Sequence, residues 1–369
     1  MYYLPSKLIG TLLILFLGGF FLSGCSSTPG VTDFDAPVYP PAPEQPRFIF
    51  ERTLMGSSDV EVLSKQDRFK ALATGQTISE RRLIKPYGVA SYKGRIYVTD
   101  TVQRSVTLFD IPGKKFVQFG NKGPGILSKP IGIAVSSLGN VFVADNAARR
   151  IMVYDLNGNY LRYFGGKEEL DRPSGVAVSP DGTYVYVVDT GGIESDAHNL
   201  VIYDGKTGEL IKKVGKRGSE EGNFNLPTMA AVDSKGRVYV LDSGNFRVQR
   251  FTAEGDFEMA FGRVGNRFGH FSRPKGIAVD RDDNIYVVDS SFANFQIFNE
   301  SGELLLFIGE RSFSNEPGKF SLPADIHTDE DGRIYVVDQF FSKIDVFRPY
   351  GMTKEEGYAG IKPVENKKD

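Results

Sequence analysis

Side chains suited to chemistry are few in this chain of 369 residues. The histidines are His198, His270 and His327, and Cys25 is the single cysteine, so there is no internal disulfide, thiolate metal site or haem attachment motif. Asp325 and His327 stand two residues apart in Pro323-Ala324-Asp325-Ile326-His327, and such a pair on a strand could bind a metal ion, the one cofactor the sequence suggests. A catalytic metal centre needs further ligands from elsewhere in the fold. A second polar group, Glu194, Asp196 and His198 in Thr190 to Asn199, could touch a cation or a partner.

The elements that must position these residues repeat. Six short strands end in aspartate, at Asp100, Asp145, Asp189, Asp242, Asp289 and Asp338, stepping by 45, 44, 53, 47 and 49 residues. A proline precedes each by 14 to 16 residues (Pro86, Pro130, Pro173, Pro227, Pro274, Pro323), followed by a short apolar strand and a polar turn such as Ser179-Pro180-Asp181-Gly182. After the aspartate come a loop, a third strand, a turn such as Asn157-Gly158, and a fourth strand ending in glycine, as at Gly120 or Gly165. Valines and tyrosines of the second strand fall on opposite faces, so both faces must be covered. Four antiparallel strands per unit, stacked face to face, predict an all-β six-bladed β-propeller. The sixth unit lacks a fourth strand, and residues 47–56 supply a matching one that closes the ring. An active site needs each role once, so the six aspartates read as scaffold, accepting backbone hydrogen bonds from the loop that follows. Leu83, Leu127, Leu170, Phe224, Phe271 and Phe320, three residues before the prolines, read as plugs between blades.

Charge is nearly balanced, 44 basic against 46 acidic residues, which offers no field for nucleic acid. Residues 1–24 read as a signal peptide: Lys7, then an apolar run from Leu8 to Phe21 too short to span a bilayer. Residues 25–46 read as a proline-rich tether, 47–350 as the propeller and 351–369 as a polar, flexible tail. Residues 64–73 read as a short helix against one end of the propeller.

Leu22-Ser23-Gly24-Cys25 resembles the lipobox of bacterial lipoproteins. The resemblance implies a diacylated Cys25 in a lipid bilayer, and Ser26-Ser27 imply the outer membrane. Gly276-Ile277-Ala278-Val279 after Pro274, then Ile285-Tyr286-Val287-Val288-Asp289, and Asn245-Phe246-Arg247-Val248-Gln249-Arg250-Phe251 resemble the NHL repeat. That family spans scaffolds, sensors, RNA binders and lyases, so function must be sought where the repeat is broken. Blade three breaks it with the insertion carrying Glu194, Asp196 and His198. Blades four to six break it with Phe246, Phe292, Phe340 and Phe341 in the loops after the aspartates, on the same end of the torus as that insertion. Channel positions break it where the glycine after the blade proline becomes Met229 or Asp325, with His327 two residues on. The expectation is a protein-binding face that engages an exported or envelope protein. A metal-dependent lyase or lactonase in the channel, and a glycan or small-ligand sensor at its mouth, are the rivals.

Overall fold

A computed structural model of the chain describes residues 36–62, 73–74, 79–192 and 194–361. It forms six antiparallel sheets, five of four strands and one of five. Blade one illustrates the unit, with strands Pro86–Tyr92, Arg95–Asp100, Ser105–Asp110 and Lys115–Phe119 in spatial order. Beyond their first residue the second strands are buried, Tyr97 on one face and Val98 on the other, because each sheet is sandwiched by its neighbours. Accordingly the core is six apolar clusters, five of them shared by two adjacent blades and the sixth, between blades four and five, reaching across the axis to Ile131 and Tyr87. The six plug residues are all buried.

Ring closure follows the sequence expectation. Phe48–Leu54 pairs with the last strand, Lys343–Pro349, and Phe50 packs edge-to-face on Phe347 with ring centroids 5.9 Å apart. Glu51 sits inside this seam with three arginines around it: Arg333 Nε at 2.9 Å, Arg52 Nη2 at 3.4 Å and Arg348 Nε at 3.8 Å. The Arg333 side chain is fully buried.

Two segments differ from expectation. The proline-rich stretch is not a free tether as far as Pro46: Val38–Tyr39 adds a fifth strand to blade six, pairing with Phe48 and Ile49. The Tyr39 ring supplies the reason, seated edge-on against Phe347 at 5.7 Å. The tail is not free as far as Ile361 either. Arg52 and Arg333 donate to the carbonyls of Ala359 and Glu356, at 2.7 and 2.8 Å, and Ala359 is buried. These arginines, with more donors than Glu51 can accept, hold the C-terminal segment against blade six. Cys25, the signal peptide and, apart from Ala73, the helix over 64–73 lie outside the described residues.

Replacing Glu51 by Gln removes the nearest charge partner of the buried Arg333 and leaves it only Asp331 at 3.8 Å. A loss of about 3–5 kcal/mol is expected, read as a lowered denaturant midpoint; an unchanged midpoint would show that the seam does not depend on this carboxylate.

Candidate functional site

The upper end of the torus is organised by the six aspartates. Each accepts backbone hydrogen bonds from the chain just before its blade proline, and most also from the loop that follows. Asp100 accepts from Ile84 and Lys85 on Oδ2 and from Val102 and Gln103 on Oδ1, at 2.8–3.0 Å. Asp289 does the same for Ser272, Arg273, Ser291 and Phe292, and Asp338 for Ser321, Leu322, Phe340 and Phe341. The scaffold reading of these carboxylates holds, extended to the incoming connection.

Blade three's insertion is divided. Glu194 and Asp196 are exposed at the rim. His198 is not: it is 1 % exposed, its Nδ1 accepts the Leu226 amide at 3.2 Å and its Nε2 faces the Gly192 carbonyl at 3.3 Å. The proton therefore sits on Nε2. His198 is a structural acceptor rather than a contact for a cation or partner, because Leu226 is the one pre-proline residue whose amide bonds an imidazole instead of the blade aspartate.

The axis is not an open tube. Ile131 packs into one apolar cluster with Met229, and Tyr87 packs against it, so blades one, two and four make a floor across the channel. Below lies a cavity of about 140 Å³, lined mostly by valine, isoleucine and alanine, with Asp325 and His327 its ionisable residues. That is smaller than the ~300 Å³ of an ordinary ligand pocket. Asp325 Oδ2 accepts the Val89 amide of blade one at 3.0 Å, a bond across the gap between the last and first blades. Burial pushes its carboxyl up to about 7 and pushes the His327 imidazole down to about 4. Among the described residues no group of three or more His, Cys, Asp or Glu could hold a metal ion. Asp325 thus serves as a staple between blades, and the pair does not make the ligand set that a channel metal centre needs.

Above the floor opens a funnel of about 670 Å³. Phe246 lines it, half-buried, in a left-handed turn with φ of 58°. Phe292 and Phe341 are half-buried and Phe340 is 58 % exposed, meeting Phe341 edge-on at 5.0 Å. The phenylalanines therefore do not act as one patch: Phe340 presents itself outward and Phe246 faces the funnel. The sequence reading does not single out the basic residues at this mouth. Their signal is simple: the residue before the blade proline is Lys85, Lys129, Arg172 or Arg273 in four blades.

Residues 224–251 and 271–298 match the NHL repeat, and 71–217 match a family described as a 6-bladed beta-propeller. The chain is a six-bladed β-propeller that carries NHL repeats. Over 46 residues it is 51 % identical to the human E3 ubiquitin-protein ligase TRIM32, covering 12 % of this chain and 7 % of that relative's length. Among solved structures, a protein of unknown function from Bacteroides thetaiotaomicron superposes with a TM-score of 0.59 at 16 % identity, covering 81 % of this chain and 76 % of that chain. Virginiamycin B lyase from Staphylococcus aureus gives 0.53 at 18 %, covering 72 % and 95 %. A gluconolactonase from Xanthomonas campestris gives 0.53 at 15 %, covering 81 % and 98 %. At these identities the likeness is one of fold.

Two outcomes are expected. His198→Ala orphans the Leu226 amide and costs about 1–3 kcal/mol, measured by thermal or chemical denaturation; an unchanged stability would return His198 to the surface loop. The native state holds the Asp325 proton more tightly than the unfolded chain, so its stabilisation is full below pH 3.8 and is lost as pH rises to about 7. Asp325→Asn should flatten that part of the stability profile. Asp329, raised to about 6 by burial, contributes with the same sign in both proteins, so parallel profiles would contradict the assignment.

Proposed function

We propose that this NHL propeller is a lipoprotein of the bacterial envelope that works by binding: anchored through an acylated Cys25, it engages an exported or envelope protein with the funnel end of the torus. The observation that carries this reading is the distribution of exposed apolar side chains. Interblade connections and loops at that end expose Ile84, Val102, Ile126, Leu226, Phe313 and Phe340. Hairpin turns at the other end expose Leu138, with Tyr350, Tyr358 and Ile361 added by the C-terminal segment. Apolar side chains spread among polar loops over one face suit a protein partner better than a small substrate. Glu194 and Asp196 supply a polar rim on the blade-three side.

Anchoring rests on the lipobox-like sequence, since a diacylated cysteine provides two chains and needs no spanning helix. The Ser26-Ser27 pair favours the outer membrane as the destination. Likeness to a lyase and a lactonase argues for the fold alone, and the small lower cavity with its single Asp–His pair gives an enzyme reading little support.

The test is photo-crosslinking in intact envelopes from position 102, an exposed site on the same face. A discrete crosslinked partner, lost in Phe340→Ser/Phe341→Ser at unchanged melting temperature, supports the reading. Absence of a discrete product, or its persistence in the double variant, rejects the face. Cys25→Ser should release the protein from the membrane fraction; retention there would reject the anchor.

A further inference from the structure

The funnel is lined by five cationic side chains, Lys85, Lys129, Arg172, Arg273 and Lys275, and by no carboxylate. This concentration occurs in a chain whose net charge is −2. Four of the five stand immediately before blade prolines, where their backbone is held on both sides. Their amides bond the buried Asp100, Asp145, Asp189 and Asp289, and their carbonyls accept from Thr101, Asn146, Thr190 and Ser290. The charges are thus carried on a rigid ring rather than on free loops.

None of the five takes part in an ion pair among the described residues, although cations elsewhere on the same end do: Arg149 pairs with Asp171 and Arg247 with Asp242. Lys275 is half-buried, and its ammonium is pushed down first by burial and then by the guanidinium of Arg273 beside it. Two like charges are held together with no protein carboxylate to relieve them. Funnel hydroxyls are already committed to the scaffold: Ser174 and Thr190 bond each other and neighbouring carbonyls, as do Thr228 and Ser243. What remains to meet a ligand, besides Gln339, is positive charge above a floor of Tyr87 and Ile131.

We propose that the funnel is a binding site for a small polyanion, one molecule carrying two or more carboxylate or phosphate groups. Its volume, about 670 Å³, lies within the ~300–1,000 Å³ range of small-molecule sites. Arg172 and Arg273 offer planar forks for bidentate oxyanion contacts, and the three lysines act as point charges. A concave, singly signed site focuses field lines and draws in anions from solution. The inference goes beyond the partner-binding reading and stands without it, because it uses none of the apolar residues of the rim.

The experiment is isothermal titration of the full chain in detergent with citrate, with tripolyphosphate, and with glucose as an uncharged control. Saturable one-to-one binding of citrate or tripolyphosphate, and not of glucose, is expected, weakening with added salt. Arg273→Gln/Lys275→Gln should weaken it about tenfold or more, and Lys85→Gln/Lys129→Gln, across the funnel on blades one and two, should do so independently at unchanged melting temperature. Citrate alone would assign carboxylates and tripolyphosphate alone phosphates. Binding of neither anion, equal binding of glucose, or wild-type affinity in both variants would overturn the proposal.

Discussion

Six buried carboxylates hold the upper end of this ring together. Each stands at the end of a second strand, fully buried, and gathers amides from the chain entering its blade; most also gather amides from the loop leaving the strand. An ionised carboxylate accepts several hydrogen bonds at once, so one side chain fixes two backbone segments that have no strand pairing with each other. The funnel's charges, Phe340 and Phe341, and the blade-three insertion all hang from these connections. Blade four shows the same constraint met by other means: Asp242 accepts the Asn225 amide and the side chains of Asn245, Arg247 and Gln249, while the Leu226 amide passes to His198.

Around the axis the blades are close enough that side chains become impossible at some positions. A methyl group on Gly88 would sit 2.4 Å from the Ile131 carbonyl, and one on Gly132 would sit 2.5 Å from that of Ser174. Where the pattern yields, at Met229 and Asp325, the side chains do structural work: a floor across the channel and a bond from the last blade to the first. The channel is asymmetric for this reason, with its ionisable pair below the floor, Asp325 buried and His327 half-buried.

Fold and ring closure were legible because both depend on a repeated pattern, and repetition can be counted. The aspartates, the plugs and the strand over 47–56 each have counterparts that fix their role. Residues whose role depends on neighbours distant in sequence were not legible. His198 looks like any polar loop residue until Leu226, 28 positions away, is seen to donate to it. Asp325 suggests a ligand until Val89, 236 positions away, occupies its oxygen. The tail looks free until the arginines around Glu51 reach its carbonyls. The basic ring escaped for the opposite reason: it lies within the repeat, at the pre-proline position, whereas function was sought where the repeat breaks.

The seam between Phe48–Leu54 and Lys343–Pro349 also sets the order of folding. Phe50 and Phe347 face each other on adjacent strands of one sheet, and bringing them together closes a loop that is nearly the whole propeller. Such a contact is the slowest kind to form and cannot begin until synthesis is almost complete. Until then the early strand has no partner and the last blade exposes an unpaired edge. A chain interrupted before Lys343 therefore has no closed form of this ring available.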